Sequence, residues 1–415
     1  MTRRWSGRVV GLMALLFALQ AVPAQAADAP VSWVEFAADG NLSVRTVIAP
    51  GAACPVVAAD GATVSGRPRN PPNDAFAVQV CEARVPVATA RLTVGGQPMP
   101  VAPKQVNRIA IIGDTGCRLE GKALQDCRDP VAWPLPVIAG RAAARHPDLV
   151  IHVGDYYYRE SACPTGRAGC AGSPHGDAWP TWNADFFAPV APLFTAAPWV
   201  MIRGNHESCN RGGAGWFRLI DPYPARADCV ERTEPYHLSL GGLDLLPFDD
   251  ADADDFKAPA DKVAGYAAQL ATILAAAPPH AWLVLHRPVW AQAQAQLSGV
   301  TINQTMQAAI RDKVPANLDM VLSGHLHDFL SYDFGPQRPP QLVVGTGGDA
   351  LLPLGHDKIV GADIAGIPVR AGYATQRFGY FIMERSGTGW DGTLYAPDDS
   401  VITSCHIAGR SLACQ

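Results

Sequence analysis

Side chains that can bind metal ions recur along the middle of the sequence, each directly after an apolar run. Five segments share this arrangement: residues 113–116 (GDTG), 154–158 (GDYYY), 204–207 (GNHE), His286 and residues 324–327 (GHLH). Together they offer carboxylate, amide, imidazole and phenol groups. This mixture of oxygen and nitrogen ligands suits iron, manganese or zinc, whereas calcium and magnesium prefer mainly oxygen. Because glycine lets the backbone turn sharply, we expect the segments to approach one shared centre.

The apolar runs before these segments predict the strands that position them. They cover residues 108–112, 148–153, 199–202, 282–285, 320–322 and 342–344. Continuous apolar runs bounded by glycine are typical of strands covered on both faces. Residues 261–277 predict a helix, because apolar side chains recur there at helical spacing. The region is therefore predicted to be α/β, with its chemistry at the strand ends.

The stretch before residue 103 has a different pattern. Short β-prone pieces, among them residues 31–36, 42–48 and 88–94, alternate with turn residues. This spacing predicts a small antiparallel β domain over residues 27–103, followed by a catalytic domain over residues 104–415. The small domain contains no cluster of residues suited to chemistry, so we expect it to serve packing or positioning.

The amino terminus has the layout of a cleavable signal peptide. Three arginines precede an apolar run over residues 9–19, which is too short to span a bilayer, and an A-x-A sequence ends at Ala26. We therefore expect a signal peptide over residues 1–26, export to the periplasm or secretion, and no membrane attachment after cleavage. Loss of these three arginines changes the formal charge from −5 to −8. An acidic chain argues against a nucleic-acid partner.

The ten cysteines of an exported chain are expected to form disulfides. Their spacing forms local couples, although sequence alone leaves the pairing open: Cys54/Cys81, Cys117/Cys127, Cys163/Cys170, Cys209/Cys229 and Cys405/Cys414. Residues 161–182, rich in Gly, Pro and Cys, are predicted to rim a pocket. The acidic run over residues 249–255 lacks the pattern of a calcium-binding loop, so we expect a solvated loop there.

In their order and spacing, the five segments resemble the calcineurin-like metallophosphoesterase superfamily. The resemblance extends over residues 108–328, and residues 342–348 (LVVGTGG) also fit it. It implies an α/β fold with a metallophosphoesterase β-sandwich, in which two sheets have α layers outside. The small all-β domain would precede this sandwich. It also implies two metal ions at the strand ends.

One departure from the family pattern indicates a subgroup. Most of the superfamily has a histidine two residues after the first aspartate, where this chain has Gly116. Tyr158 lies three residues after Asp155, where purple acid phosphatases place a tyrosinate ligand. The chain therefore resembles that subgroup, with Tyr158 replacing the missing imidazole.

The resemblance implies a ligand set for each ion. Asp114, Asp155, Tyr158 and His327 would bind the first ion, whereas Asp155, Asn205, His286 and His325 would bind the second. Asp155 would bridge the two. Two carboxylates and a phenolate favour a trivalent ion, so we expect Fe(III) at the first position, with Fe(II), Zn(II) or Mn(II) beside it.

The expected reaction is hydrolysis of a phosphomonoester by an acid phosphatase. A metal-bound hydroxide would attack phosphorus, His206 would protonate the leaving alcohol, and Glu207 would orient the His206 ring. Further candidates for contact with the small phosphorylated substrate are Arg159, Arg203, Arg211, Arg287 and His175. Alternatives are a phosphodiesterase or nucleotide hydrolase on the same metals, a phosphate-ligand binding protein without turnover, and a redox activity of the iron pair.

Overall fold

A computed structural model describes residues 1–2, 30–293, 300–311, 316–352 and 359–415. The predicted signal peptide, residues 1–26, lies outside these ranges apart from its first two positions. Among the described residues, no helix combines the length and the apolar character needed to cross a bilayer.

The strands are numbered in chain order. The first half of the chain contains β1 (Val31–Phe36), β2 (Leu42–Ile48), β3 (Val57–Ala59), β4 (Ala62–Val64), β5 (Arg67–Pro68), β6 (Gln79–Val85), β7 (Leu92–Val94), β8 (Gln97–Met99), β9 (Arg108–Ile112), β10 (Leu119–Glu120), β11 (Ala123–Leu124), β12 (Leu149–His152) and β13 (Trp199–Met201). The second half contains β14 (Leu238–Ser239), β15 (Asp244–Pro247), β16 (Ala281–Val284), β17 (Gln292–Ala293), β18 (Val300–Thr301), β19 (Leu318–Ser323), β20 (Phe329–Asp333), β21 (Gln341–Val344), β22 (Asp363–Ile364), β23 (Ile367–Pro368), β24 (Ala371–Thr375), β25 (Tyr380–Ser386), β26 (Gly389–Tyr395), β27 (Val401–Ala408) and β28 (Ser411–Cys414).

Helices connect several of these strands. They are α1 (Leu135–Ala144), α2 (Trp179–Trp182), α3 (Ala191–Phe194), α4 (Gly213–Leu219), α5 (Ala260–Ala275) and α6 (Gln304–Ile310). Short 3₁₀ turns cover Ala168–Cys170, Asn205–Glu207 and Gly335–Gln337, and a π-helical turn covers Asn183–Phe187. The amphipathic pattern that predicts a helix over residues 261–277 corresponds to α5, which begins and ends within two residues of that prediction.

Two sheets form the centre of the molecule. Within the described ranges, sheet I has the order β28-β27-β26-β25-β9-β12-β13-β1-β2-β6-β5, and sheet II has the order β14-β15-β16-β19-β21-β20-β24. The middle of sheet I is parallel, because β12 pairs in parallel with both β9 and β13. The middle of sheet II is also parallel, from β15 through β16 and β19 to β21.

The core is layered as the predicted β-sandwich requires. In β9, Ile109 and Ile111 point into the cluster between the two sheets, where they join Val284 and Leu322 of sheet II. The alternate residue Ile112 faces the helical side and packs in the same cluster as α1. A third cluster joins α5 and α6 to the outer face of sheet II. Since successive side chains of a strand point to opposite faces of the sheet, these continuous apolar runs provide apolar side chains on both faces.

The amino-terminal segment shares sheet I with the rest of the chain. Strand β1 pairs in parallel with β13, with Glu35 opposite Trp199, and β2 and β6 continue outward from it. Strands β3, β4, β7 and β8 form a small sheet whose apolar side chains join the cluster between the main sheets. Residues 30–103 are all-β, and their division from residues 104–415 as a separate domain stays a prediction.

All ten cysteines lie in the described ranges and form the five local couples. The bonds join Cys54 to Cys81, Cys117 to Cys127, Cys163 to Cys170, Cys209 to Cys229, and Cys405 to Cys414. Two of them pin loops of the predicted site, because one begins three residues after Asp114 and another three residues after His206. The predicted rim, residues 161–182, contains the third.

Candidate metal centre

The predicted ligands come together because their strands are neighbours. Strands β9, β12 and β13 lie side by side in sheet I, and β16 and β19 lie side by side in sheet II. Each carries its polar segment just beyond its carboxyl end. In parallel sheets these ends meet at one edge, where ligands commonly bind. The sandwich therefore presents five ligand-bearing turns to a single centre.

Three of these turns hold a ligand candidate in a left-handed backbone conformation. The φ angles are 54° at Asp114, 59° at Asp155 and 71° at His325. Such conformations cost free energy for residues other than glycine and cluster at functional sites. Close approach adds a second constraint, because a Cβ atom at Gly154 would lie 2.4 Å from Nδ1 of His286. The local backbone is thus arranged around the side chains of the centre.

The first group of ligand candidates surrounds the Tyr158 hydroxyl. One ligand atom each from Asp114, Asp155 and His327 lies within 4.8 Å of the others. The Tyr158 hydroxyl oxygen lies 2.8 Å from Oδ2 of Asp155, 3.1 Å from Oδ1 of Asp114 and 3.0 Å from Nε2 of His327. All four side chains are buried. The structure therefore brings together the four residues predicted for the first ion.

The second group shares Asp155 with the first. Asp155, His286 and His325 offer ligand atoms within 4.8 Å of one another. Nε2 of His286 lies 3.1 Å from Oδ2 of Asp155 and 3.1 Å from Oδ1 of Asn205. The other ring nitrogen, Nδ1, lies 2.7 Å from the carbonyl oxygen of Val153, which orients the imidazole. The four residues predicted for the second ion are also adjacent, and Asp155 lies where it can serve both.

The charges of this centre fit a pair of cations. Burial raises the pKa of Asp114 to about 7, and burial together with Asp155 and Asp114 raises the pKa of Tyr158 well above its usual range. Burial also opposes the charge of Asp155, but the charges and hydrogen bonds of His286 and His206 together outweigh it and hold that pKa well below its usual range. Two buried carboxylates and a phenol in contact are stabilised in their charged forms when cations lie between them. The donor set therefore fits two metal ions.

The predicted general acid, His206, is oriented by a different carboxylate from the one expected. Nδ1 of His206 lies 2.7 Å from Oε1 of Glu160, and Arg211 contacts the same carboxylate at 2.5 Å. Glu207, predicted to orient the ring, instead accepts hydrogen bonds from the backbone N–H groups of Gly204, Asp155 and Tyr156. Its carboxylate therefore braces the two turns that carry Asp155 and Asn205. Glu207 was predicted to orient the ring because it follows His206 directly in the sequence. The turn instead directs the Glu207 side chain toward the backbone.

The arginines predicted as substrate contacts have separate surroundings. Arg203 is buried, donates to the carbonyl oxygen of Glu207 and pairs with Asp249 at 3.2 Å. Arg159 is buried against Asp185, whose carboxylate also accepts hydrogen bonds from the backbone around residues 117 and 158. These ion pairs brace loops and do not support a role in substrate binding for either residue.

Two other predicted contacts lie nearer to solvent. Arg287 is half-buried, pairs with Asp255 and lies 3.0 Å from Nε2 of His325. Its guanidinium is therefore at the edge of the second group of ligands. Arg211 is half-buried beside His206. His175 is exposed in the predicted rim and stays a prediction as a substrate contact.

The acidic run over residues 249–255 is not the solvated loop expected from its charge. Asp249 and Asp250 are buried, and Asp250 accepts hydrogen bonds from the backbone N–H groups of His286 and Arg287. Asp255 lies 2.9 Å from Nε2 of His325. The place of these residues in the sequence could have indicated this burial, because Asp249 and Asp250 follow β15, the neighbour of β16 in sheet II. They occupy the same kind of strand end as the predicted ligands.

Gly116 lies where a larger side chain has no room. A Cβ atom at this position would lie 2.7 Å from the backbone nitrogen of Tyr158 and 2.9 Å from Cα of Tyr157. The turn that carries Tyr158 therefore occupies the space beside Gly116. The glycine and the tyrosine are two parts of one local packing arrangement.

Comparisons with known proteins indicate a family and a fold for this chain. The family model described as calcineurin-like phosphoesterase matches residues 107–329. No curated protein matches the chain. The purple acid phosphatase PPD1 of yellow lupin (Lupinus luteus) has a similar structure, with a TM-score of 0.58 and 14% identity over 91% of this chain and 74% of that one. A structure of PhoD matches with a TM-score of 0.53 and 14% identity over 93% of this chain and 91% of that one. The chain belongs to the calcineurin-like phosphoesterase family, whose members are dimetal phosphoesterases.

Proposed function

We propose that the protein is an exported acid phosphatase of the purple type, which hydrolyses small phosphomonoesters at the two-metal centre. The observation that carries this proposal is the position of the Tyr158 hydroxyl, within 3.1 Å of Asp114, Asp155 and His327. A phenolate joined to two carboxylates and an imidazole favours Fe(III) over a divalent ion. The second ion would then be Fe(II), Zn(II) or Mn(II), bound by Asp155, Asn205, His286 and His325.

The metal pair, when bound, supplies an activated water and neutralises charge on the phosphoryl oxygens. The chain's own residues provide the remaining steps. His206 lies beside Tyr158, with 3.9 Å between the ring centroids, and its Nε2 is 3.9 Å from Oδ2 of Asp155. Because Glu160 contacts Nδ1, Nε2 is the ring nitrogen that would carry a proton toward the centre, and Nη2 of Arg211 lies 3.0 Å from it. From there it can donate a proton to the leaving alcohol.

The surroundings of His206 match the needs of this proton transfer. Burial lowers the pKa of His206, while Asp155 and Glu160 act against that effect. The neighbouring Arg211 holds the Glu160 carboxylate in place at 2.5 Å. A general acid fixed by a carboxylate in this manner keeps one tautomer and one ring orientation. Glu160 therefore takes the positioning role that the sequence indicated for Glu207.

Export is supported by the five disulfides, since such bonds persist in oxidising compartments. The predicted signal peptide gives the route. A small phosphorylated molecule outside the cytoplasm would be the substrate.

The proposal is tested on the purified mature protein by three measurements: metal content, visible absorption, and hydrolysis of a phosphomonoester and a phosphodiester from acidic to neutral pH. We expect iron, a tyrosinate-to-Fe(III) absorption band and preference for the monoester at acidic pH. Tyr158→Phe should abolish the band. Tyr157→Phe is the matched control and should retain it, because Tyr157 stacks on Trp182 with 5.6 Å between ring centroids.

Different failures would overturn different parts of the proposal. A colourless, iron-free protein that is fully active with zinc or manganese would remove the purple-type assignment and leave a phosphoesterase. Preference for the diester would replace phosphomonoesterase activity with phosphodiesterase activity. Binding of phosphate without turnover of either ester would indicate a binding protein.

A further inference from the structure

Each of the two histidines that follow β19 has an aspartate against one of its ring nitrogens. For His327, Nε2 faces the centre at 3.0 Å from the Tyr158 hydroxyl, and Nδ1 lies 2.9 Å from Oδ2 of Asp349. The same Nδ1 is 3.0 Å from the carbonyl oxygen of Ala350. Asp349 is buried and is held by Arg118, whose Nη2 lies 2.5 Å from Oδ2. His327 is therefore fixed from behind by a carboxylate that is itself fixed.

His325 has a similar arrangement. Its Nε2 lies 2.9 Å from Oδ2 of Asp255, and the guanidinium of Arg287 pairs with the same oxygen. Because Asp255 occupies Nε2, Nδ1 is the ring nitrogen left to bind an ion. Asp255 reaches His325 from the loop after β15, whereas Asp349 reaches His327 from the loop after β21. Two separate loops thus supply an aspartate each to neighbouring histidines, and each aspartate pairs with an arginine from another segment of the chain.

We propose that Asp349 and Asp255 are positioning residues for the first and second metal ions respectively, each acting through one histidine and each held by one arginine. The inference rests on the proposed two-metal function and adds to it a division of labour between the two sides of the site. A carboxylate on the outer nitrogen of a metal-binding histidine fixes the tautomer and the ring orientation and increases the basicity of the ligand. Loss of such a partner typically weakens metal binding about 10- to 100-fold.

The separation of the two pairs makes the inference specific. Arg118 contacts Asp349 and lies over the Tyr158 ring, at 4.9 Å from its centroid, so this pair belongs to the first ion. Arg287 contacts Asp255 and His325, so the other pair belongs to the second ion. Each substitution should therefore weaken one ion and spare its neighbour. A general loss of stability would affect both ions together.

The test measures Zn²⁺ binding directly and requires no turnover. Crystals of the mature wild-type protein and of Asp349→Asn and Asp255→Asn variants are equilibrated with Zn²⁺ at fixed free concentrations. The occupancy of each ion position is then refined from anomalous diffraction. We expect Asp349→Asn to raise the Zn²⁺ concentration for half occupancy beside His327 about 10- to 100-fold, and Asp255→Asn to do so beside His325.

A matched control is available on the same strand. Asp319 lies near the start of β19, at the end opposite His325, and forms an exposed pair with His280 at 2.9 Å. Asp319→Asn removes a contact of the same type and length, and both zinc occupancies should match those of the wild type. Arg118→Gln and Arg287→Gln release the two carboxylates without altering them. They test the same selectivity if an aspartate variant does not fold.

The possible outcomes separate the two proposals. Equal weakening of both positions by either aspartate variant, or no weakening at all, overturns the division of labour. A wild-type protein that binds no pair of ions overturns the proposed function, and this inference with it. If the wild type binds two ions and each aspartate variant weakens only one of them, the proposed function and the division of labour are both supported.

Discussion

A Cβ atom on Gly116 would lie 2.7 Å from the backbone nitrogen of Tyr158, which places a glycine and a metal-ligand candidate in direct packing contact. The same position is 3.0 Å from Oδ2 of Asp185, whose carboxylate accepts a hydrogen bond from that nitrogen. The absence of a side chain at residue 116 therefore allows the turn to bring the phenol to the centre. The packing beside Gly116 therefore gives a steric reason for the lack of a side chain at this position.

Gly116→Ala should consequently disturb the first ion more than its small size suggests. The added methyl group displaces the Tyr158 turn, and overpacking of this kind typically costs roughly 1–3 kcal/mol. We expect a lower melting temperature and a shifted or weakened tyrosinate absorption band. Gly140→Ala, with nothing within 4 Å of the new atom, is the control. It lies within α1 and should stabilise the protein by about 0.5–1 kcal/mol. An unchanged absorption band in Gly116→Ala would contradict the steric account.

The contact between Glu160 and His206 gives a prediction about leaving groups. Glu160→Gln removes the charged partner of Nδ1, so protonated His206 is less stable and less well oriented. Hydrolysis of alkyl phosphates, which need the proton, should slow about 10- to 100-fold. Activated aryl phosphates should be affected much less. The measurement is the dependence of kcat on the pKa of the leaving alcohol, with metal content checked in parallel.

Glu120→Gln provides the comparison for that experiment. Glu120 also pairs with Arg211, at 3.7 Å, but its side chain is half exposed. Loss of this carboxylate should leave the leaving-group dependence unchanged. Equal slowing of alkyl and aryl substrates in Glu160→Gln would argue against a role in proton transfer.

Much of the fold and the centre could be predicted, because both depend on local patterns. Uninterrupted apolar runs predict strands covered on both faces, and a polar turn after such a strand predicts a ligand at the shared edge. Asp114, Asp155 and His286 are ligand candidates of this kind, and they lie together in the structure. Local spacing also indicated the disulfides, because short loops bring cysteines together without knowledge of the fold.

The remaining features depend on contacts between segments far apart in the sequence. Glu160 meets His206 across 46 positions, and Asp255 meets His325 across 70. A run of aspartates considered alone predicts an exposed loop. In the structure, the run over residues 249–255 is stabilised by contacts with residues that follow other strands, among them His286 and His325. Arg203 and Arg159 were predicted as substrate contacts because they adjoin ligand segments. Adjacent side chains nevertheless point in different directions, and these two enter internal ion pairs.

The disulfide between Cys209 and Cys229 should matter for activity as well as stability. It closes a separation of 20 residues that begins three residues after His206, and Arg203 lies 3.7 and 3.6 Å from its two sulfur atoms. Replacing both cysteines with serine should cost about 3 kcal/mol by the loop-entropy estimate and lower kcat. Thermal unfolding and phosphatase assays below the melting temperature would measure the two effects.

The bond between Cys405 and Cys414 is the matched control. It closes a separation of 9 residues in the hairpin of β27 and β28, at the outer edge of sheet I. Its removal should also reduce stability, while kcat of the folded protein stays unchanged. If the two double variants lost the same fraction of their activity, the loop after His206 would have no special role.

A buried ion pair far from the metal centre predicts how stability changes with pH. Glu35 is 1% exposed, its Oε1 lies 2.8 Å from Arg45, and its Oε2 accepts a hydrogen bond from Trp33. Burial nevertheless raises the pKa of Glu35 from 4.5 to about 7, although Arg45 acts in the opposite direction. Between these values the folded protein binds more protons than the unfolded chain. This carboxyl group therefore makes its full stabilising contribution below pH 4.5, and the contribution is lost as the pH rises through 7.

Glu35→Gln should remove this pH dependence, because the amide does not titrate. We expect the free energy of unfolding of the wild type, relative to that of the variant, to fall by roughly 3 kcal/mol between pH 4.5 and pH 8. Denaturant unfolding at several pH values measures both proteins under matched conditions. Glu82 provides a control of opposite sign, because Arg45 and Arg69 outweigh its burial and lower its pKa to about 2. Its contribution is lost only as the pH falls from 4.5 toward 2, so the Glu82 carboxyl group itself adds no pH dependence above pH 5. If the stability curves of Glu35→Gln and the wild type were parallel above pH 5, Glu35 would remain charged when it is buried. The attraction of Arg45 would then offset the whole cost of removing the carboxylate from water.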